Sequence, residues 1–247
     1  MSKTITFANH KGGTGKTTTA VNVAAFLQQI GRRVLLIDLD PQANISLCLG
    51  IDPAAPGVYD AIKAGQLTEP QPHRSGGGFD VIPASLDLAG AEMELSAEAG
   101  REYILKELLN GSRAEYDYIL IDSPPSLGLL TLNALTAADI VIIPVQAEYL
   151  AVRGVNKITE IVNKVKRRLN PALKLAVIVT RYSSNKVLNK NVLETVKETY
   201  KDNFIGTIRE NIALAEAAAT GQTILDYSPK SAGAADYLEI TNKILEL

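Results

Sequence analysis

The sequence predicts a single α/β domain: a mostly parallel, twisted β-sheet with helices on both faces. Three observations lead there. Apolar bursts of strand length alternate with helix-length segments along all 247 residues. Several bursts are unbroken Val/Ile/Leu runs without polar alternation, as in strands covered on both faces. The first burst, Ile5-Thr6-Phe7-Ala8, runs directly into a glycine-rich turn, and an Ala/Val/Leu-patterned helix follows over about residues 18–29.

In chain order, strands are expected at 4–8, 33–37, 79–82, 118–121, 140–144, 175–180 and 204–208. The stretch 68–78, with Pro70, Pro72 and Gly76-Gly77-Gly78, reads as a surface loop inside one domain spanning 1–247. Leu188, Val192 and Val196 are expected to face the core from the helix that carries Lys186, Lys190, Lys197 and Lys201. In the last helix the expected core stripe is Tyr237, Leu238, Ile240, Ile244 and Leu245, with Asp236, Glu239, Lys243 and Glu246 on its polar side. No internal repeat is visible.

Composition narrows the chemistry. A hydrophobic content of 46% with 21% charged residues is ordinary for a globular protein. One cysteine, Cys48, excludes an internal disulfide and a cysteine-based cluster, and is expected as a small apolar side chain near the second strand. Two histidines, His10 and His73, are too few and too far apart in sequence for a zinc site. A strand begins almost at once and no apolar run approaches roughly 18 residues. The expectation is therefore a cytoplasmic protein without a signal peptide.

The turn reads Lys11-Gly12-Gly13-Thr14-Gly15-Lys16-Thr17. Strand, glycine loop, Lys-Thr and helix, in that order, let backbone N–H groups cradle phosphates at a helix N-terminus. The lysine then reaches the β/γ-phosphates and the hydroxyl takes Mg²⁺. ATP and Mg²⁺ are the implied cofactors, and Lys11, Gly12, Gly13, Thr14, Gly15, Lys16, Thr17 and Thr18 the candidate nucleotide-binding residues. The standard G-x-x-x-x-G-K-[ST] pattern would need glycine where His10 stands. What appears instead is the deviant Walker A form, with a second lysine, Lys11, at its start. A dinucleotide fingerprint fails because Thr18 occupies the place of the third glycine.

Carboxylates complete the pattern. Asp38 and Asp40 in Asp38-Leu39-Asp40-Pro41-Gln42 close a buried strand, and residues i and i+2 share a side if the extended geometry persists. Asp122 ends the apolar strand 116–121, the Walker B form. Because Mg²⁺ keeps several waters, Asp122 is expected to hold it through a water, with Thr17 and Asp38 as further candidate ligands.

These motifs, together with Ile119-Leu120-Ile121-Asp122-Ser123-Pro124-Pro125-Ser126, resemble the ParA/Soj branch of the ParA/MinD ATPases. The similarity runs over nearly the whole chain and is strongest at 3–49 and 116–152. The resemblance implies weak intrinsic ATPase activity, with Asp40 positioning the attacking water and Lys11, Lys16 and Asp40 as catalytic residues. It also implies a ParB-like activating partner or cargo adaptor, a conformational relay near 144–149, and Asn211 beside the adenine.

Lys11 at the outer lip of the loop would pair with phosphates across a two-fold interface, as an arginine finger does, giving an ATP-dependent homodimer. Gly12 would then lie against the partner's backbone.

Charge is unevenly distributed. Overall it is −2, yet residues 153–209 carry thirteen Lys/Arg against four acidic residues, a local +9. Arg153, Lys157, Lys164 and Arg168 recur at helical spacing, and Lys186, Lys190, Lys197 and Lys201 repeat that spacing. Two basic ridges of this kind could follow the backbone of nonspecific double-stranded DNA, giving a nucleoid-associated protein. Positions that are basic in many Soj-like proteins are here Asn185 and Ala213, so contact would fall to other lysines.

The alternative within the resemblance is a MinD-like membrane-cycling ATPase for division-site placement. That reading needs a basic amphipathic C-terminal helix, and the last helix here is acidic, so no membrane partner is expected. An iron–sulfur carrier would need paired cysteines. A sequence-specific repressor would need a further DNA-reading domain.

Overall fold

A computed structural model describes all residues except Met1, Pro53, 74–77 and 149–150, and of 151–153 only the backbone. Eight strands form one sheet: β1 (Lys3–Phe7), β2 (Val34–Asp38), β3 (Gln71–His73), β4 (Phe79–Ile82), β5 (Tyr118–Asp122), β6 (Ile140–Gln146), β7 (Lys174–Tyr182) and β8 (Phe204–Arg209). The described helices are α1 (Lys16–Gln29), α2 (Asn44–Leu49), α3 (Val58–Ala64), α4 (Leu88–Glu94), α5 (Ile104–Leu109) and α6 (Leu129–Ala137). After them come α7 (Ala151–Arg168), α8 (Val187–Tyr200), α9 (Ile212–Ala219), α10 (Ile224–Tyr227) and α11 (Ala232–Glu246).

The strand order is β3-β4-β2-β5-β1-β6-β7-β8, parallel throughout except at β3. All seven expected strands are present. β3 is a correction: it pairs antiparallel with β4 inside the segment read as loop. Its Pro72 is tolerated because an edge strand has one side free of ladder bonds.

Side-chain alternation in the strands divides the core between two faces. Ile5, Phe7, Leu36, Leu120, Ile142 and Ile178 pack with α1, α10 and α11. Leu35, Ile37, Ile119 and Ile121 face the other way, onto α3 to α6, while Val141, Ile143, Val177 and Val179 meet α7 and α8. Each such side chain removed from water contributes about 1.5–3 kcal/mol, and this two-sided burial explains the absence of polar alternation.

Two helices sit differently from the sequence reading. In α8 the buried stripe is Asn189, Val192, Leu193, Val196 and Tyr200, whereas Leu188 is 43% exposed. In α11, Tyr237, Ile240 and Ile244 are buried, Leu245 is partly buried and Leu238 is exposed. Asp236, expected on the polar side, is buried with its carboxylate on the Arg209 guanidinium. Among the described residues no helix is long and apolar enough to cross a membrane.

This topology gathers the motifs. β1 lies between β5 and β6, and Phe7 and Asp38 are both in register with Asp122. The glycine loop and the two acid-ended strands therefore open on the same C-terminal edge of the sheet, where parallel α/β sheets bind ligands.

Candidate nucleotide site

The loop from Ala8 to Gly15 is held by its glycines and by two crossing hydrogen bonds. Gly13 (φ 74°) and Gly15 (φ 90°) occupy left-handed backbone that side-chain-bearing residues resist, and Gly15 starts α1 with no side-chain cap. The Asn9 amide donates to the Pro144 carbonyl at 2.7 Å, and the Thr180 hydroxyl donates to the Thr14 carbonyl at 2.8 Å. The loop is thus pinned to β6 and β7, while the first N–H groups of α1, which have no partner within the helix, remain free for an anion.

A cleft of about 700 Å³ opens here, lined by Gly12, Gly13, Gly15, Lys16, Thr17 and Thr18. Asp40, Cys48, Thr180, Arg181, and the segment 208–212 with Leu214, Ala215 and Ala218, are among its other walls. Lys16 is 7% exposed; burial lowers its pKa, opposed by the Asp122 and Asp40 carboxylates.

Asp122 is fully buried. Its Oδ2 accepts the Thr17 hydroxyl at 2.5 Å, and its Oδ1 has no hydrogen-bond partner. An orphaned buried carboxylate oxygen beside a threonine hydroxyl suits a hard cation with oxygen ligands, so these residues fit Mg²⁺.

Three predicted residues behave differently. Asp38 and Asp40 do not share the cleft. The chain turns after β2, so that Asp38 accepts the amides of Asp40 (2.9 Å) and Ile45 (3.1 Å). Both Asp38 oxygens are thus engaged by backbone, which makes Asp38 an anchor of the turn after β2. Asp40 alone faces the cleft, with its Oδ1 on the Gln42 amide at 3.1 Å.

Thr14 is 1% exposed and contributes no side chain to the cleft. Lys11 also stays outside the cleft: its Nζ pairs with Glu148 Oε2 at 2.6 Å on the surface. Gly12 has neither a positive φ nor any atom within 4 Å of a built Cβ, so the isolated chain does not itself require glycine there.

Asn211 lies in the cleft wall as expected, but its Oδ1 caps α9 by accepting the Ala213 amide at 2.9 Å. Only its NH₂ remains available to a ligand.

Sequence reasoning missed Thr180, Arg181 and Cys48 as cleft residues. No local pattern marks them, because long-range strand order brings them to the loop.

The basic ridges are partly realised. α7 and α8 cover the same face of the sheet, and Lys157, Lys164 and Arg168 are exposed on α7. Arg153 lies in α7, with its side chain outside the described residues. Lys190 is exposed on α8. Lys186 is bridged to Glu210 at 2.7 Å, Lys197 sits 5.9 Å from the Phe204 ring centre, and Lys201 follows the helix end with φ 44°.

The buried carboxylates make a pH prediction. Burial raises Asp38 well above the usual range, with Asp122 adding to it. Burial pushes Asp122 up to about 7 from 3.8, against the Thr17 hydrogen bond and Lys16. Because these folded-state values are raised, the native chain holds protons that the unfolded chain has released above about pH 4, and for Asp122 that window runs to about pH 7. Their stabilising contribution is therefore lost as pH rises through that window.

Without Mg²⁺, Tm is expected to fall by about 5–10 °C between pH 5 and 8, and Mg²⁺ to restore it at pH 8. A Tm that holds or climbs over that range in chelator would contradict this electrostatic account.

Comparison with known proteins gives the family. The AAA_31 family profile, an AAA domain, matches residues 2–175. The sporulation initiation inhibitor protein Soj of Bacillus subtilis (strain 168) is 43% identical over 99% of this chain and 98% of its own. The chromosome partitioning protein ParA of Myxococcus xanthus (strain DK1622) is 41% identical, covering 100% and 89%. This chain belongs to the ParA/Soj-type P-loop ATPases.

Its fold is shared, at TM-score 0.85 and 38% identity, with a cobyrinic acid a,c-diamide synthase from Mycobacterium smegmatis solved with an ATP analogue and magnesium. The alignment spans all of this chain and 95% of that one. The residues matched by the family profile include the glycine loop Lys11–Thr17 and Asp122.

Proposed function

We propose that this protein is an ATP-dependent partition or positioning ATPase whose ATP-bound dimer binds DNA without sequence preference. The observation that carries this reading is the position of Lys11. Its ammonium lies outside its own cleft, 41% exposed, beside a Gly12 that has open space around it. Held in the single chain by a surface pair with Glu148, a lysine so placed can exchange that partner for the phosphates of a second copy, and the room at Gly12 suits a closely apposed partner backbone.

ATP then acts as a switch. Lys16, the α1 amides and Thr17 hold the triphosphate; Asp122 and Thr17 hold Mg²⁺; Asp40 orients water. The metal neutralises charge on the phosphates. Dimerisation joins two basic faces, built on Lys157, Lys164, Arg168 and Lys190 with the other lysines of α8, into one footprint. Slow hydrolysis, stimulated by a partner, releases it. The apolar side of α11 is already buried in the core, which supports DNA rather than a membrane as the surface visited.

The test is DNA binding against salt with ATP, with ADP and without nucleotide. Binding is expected with ATP alone, weakening with a log–log slope of about −0.9 per neutralised phosphate. Lys11→Ala should retain ATP affinity but lose ATP-induced dimerisation by at least about ten-fold, read by analytical ultracentrifugation. Tight DNA binding with ADP alone, or an undisturbed dimer in the lysine variant, would each refute its part of the reading.

A further inference from the structure

Helix α4 and the turns on either side of it carry two apolar faces. One is the core face, where Leu88, Ala91 and Leu95 pack with side chains of β2, β4 and β5. The other is open to solvent. Leu86, Ala89, Gly90, Met93 and Ala97 are all exposed and recur at i, i+3, i+4, i+7 and i+11, one side of a helix. The amides of Leu88, Ala89 and Gly90 bond the carbonyls of Ser85, Leu86 and Asp87, so Leu86 belongs to the same winding. Met93 is 82% exposed and Leu86 74%, which leaves both side chains standing in water.

Gly90 sharpens the pattern. Glycine inside a helix weakens it, yet nothing in the chain requires glycine here. Its φ is not positive, and an added Cβ would come no nearer than 3.8 Å to another listed atom, Glu94 Oε1. Together with Ala89 it forms a saddle between Leu86 and Met93, into which a second helix can settle closely.

Acid edges the saddle. Asp87, Glu94 and Glu98 are exposed and form no ion pair among the described residues. Of the nearby cations, Lys63 lies 4.7 Å from the Tyr59 ring centre and Arg101 pairs with Glu102 at 3.4 Å. The platform is firm. Glu92 Oε1 accepts the Leu130 amide at 3.1 Å, and the Tyr59 hydroxyl donates to Glu94 Oε1 at 3.1 Å.

We propose that the outer face of α4 is a docking surface for an amphipathic helix of a partner protein, its apolar side flanked by Lys/Arg. The stripe extends about 17 Å over three helical turns, room for a short helix laid along it. Charge complementarity selects this occupant, because two copies meeting through the same face would set acid against acid. The proposal goes beyond the nucleotide and DNA readings and depends on neither. α7 and α8 pack over β6 and β7 instead, so the basic helices and this surface can be occupied together.

The experiment uses the full chain without nucleotide and a fluorescent synthetic peptide of leucine and lysine at helical spacing, read by anisotropy. The control peptide has glutamate for every lysine. The lysine peptide is expected to bind at least about ten-fold more tightly than the control. Gly90→Gln, and the double change Glu94→Lys with Glu98→Lys, should each weaken it by about ten-fold or more. Gly90→Gln should also melt at or above the wild-type temperature, since glutamine is the better helix former, so its loss cannot be ascribed to misfolding. Glu239→Lys, on α11 across the sheet, should leave the affinity unchanged.

Equal binding of the two peptides overturns the proposal, as does full affinity in Gly90→Gln. An equal loss in Glu239→Lys would mean diffuse attraction to an acidic surface and would overturn it too. So would self-association of the wild type, seen by ultracentrifugation and abolished by Gly90→Gln, which would make the face an interface between copies.

Discussion

Lys16→Ala is expected to bind ATP at least about a hundred-fold more weakly than the wild type and to release no measurable phosphate. Lys16 is the buried cation of the cleft, at the first position of α1, with Asp40 and Asp122 as the carboxylates that favour its charge. Its charge-assisted bonds to phosphate are made away from water, and losing about 3 kcal/mol of such interaction corresponds to two decades of affinity. Removal also leaves the carboxylates uncompensated, so an incoming anion meets net negative charge. Calorimetric titration with ATP checks this, and an affinity within ten-fold of wild type would show that the amides of α1 suffice.

Asp40→Ala separates binding from turnover. Asp40 is 6% exposed and faces the cleft with one oxygen tied to the Gln42 amide, leaving Oδ2 without a hydrogen-bond partner among the described residues. A fixed carboxylate with one unengaged oxygen can orient a water for in-line attack while contributing little to holding the triphosphate. ATP affinity is expected to stay within about three-fold, and hydrolysis to fall by about two orders of magnitude or more. The variant should therefore accumulate in its ATP-bound form. Phosphate release at the wild-type rate would remove Asp40 from the chemistry and turn attention to other groups in the cleft wall.

Much of this was readable from residue order alone. The glycine spacing around Lys16, the apolar runs ending in Asp38 and Asp122, and the periodicity of α1, α7 and α8 are local patterns set by backbone sterics and side-chain repeat. Sequence therefore determined the sheet, the phosphate loop and the carboxylate that meets Thr17.

What it left open depended on turns and on contacts far apart in the chain. Two-residue spacing put Asp38 and Asp40 together, but the strand stops at Asp38, and the amides of Asp40 and Ile45 claim its carboxylate. Helical spacing put Leu188 inside, whereas packing chose Asn189, whose amide bridges the Ala147 carbonyl and the Ser183 N–H. Asp236 looked solvated until the fold brought Arg209 to it. Only the tertiary structure decided that Lys11 sits on Glu148 outside the cleft and that Arg181 lies within it, because strand order, rather than sequence distance, sets which side chains share a space.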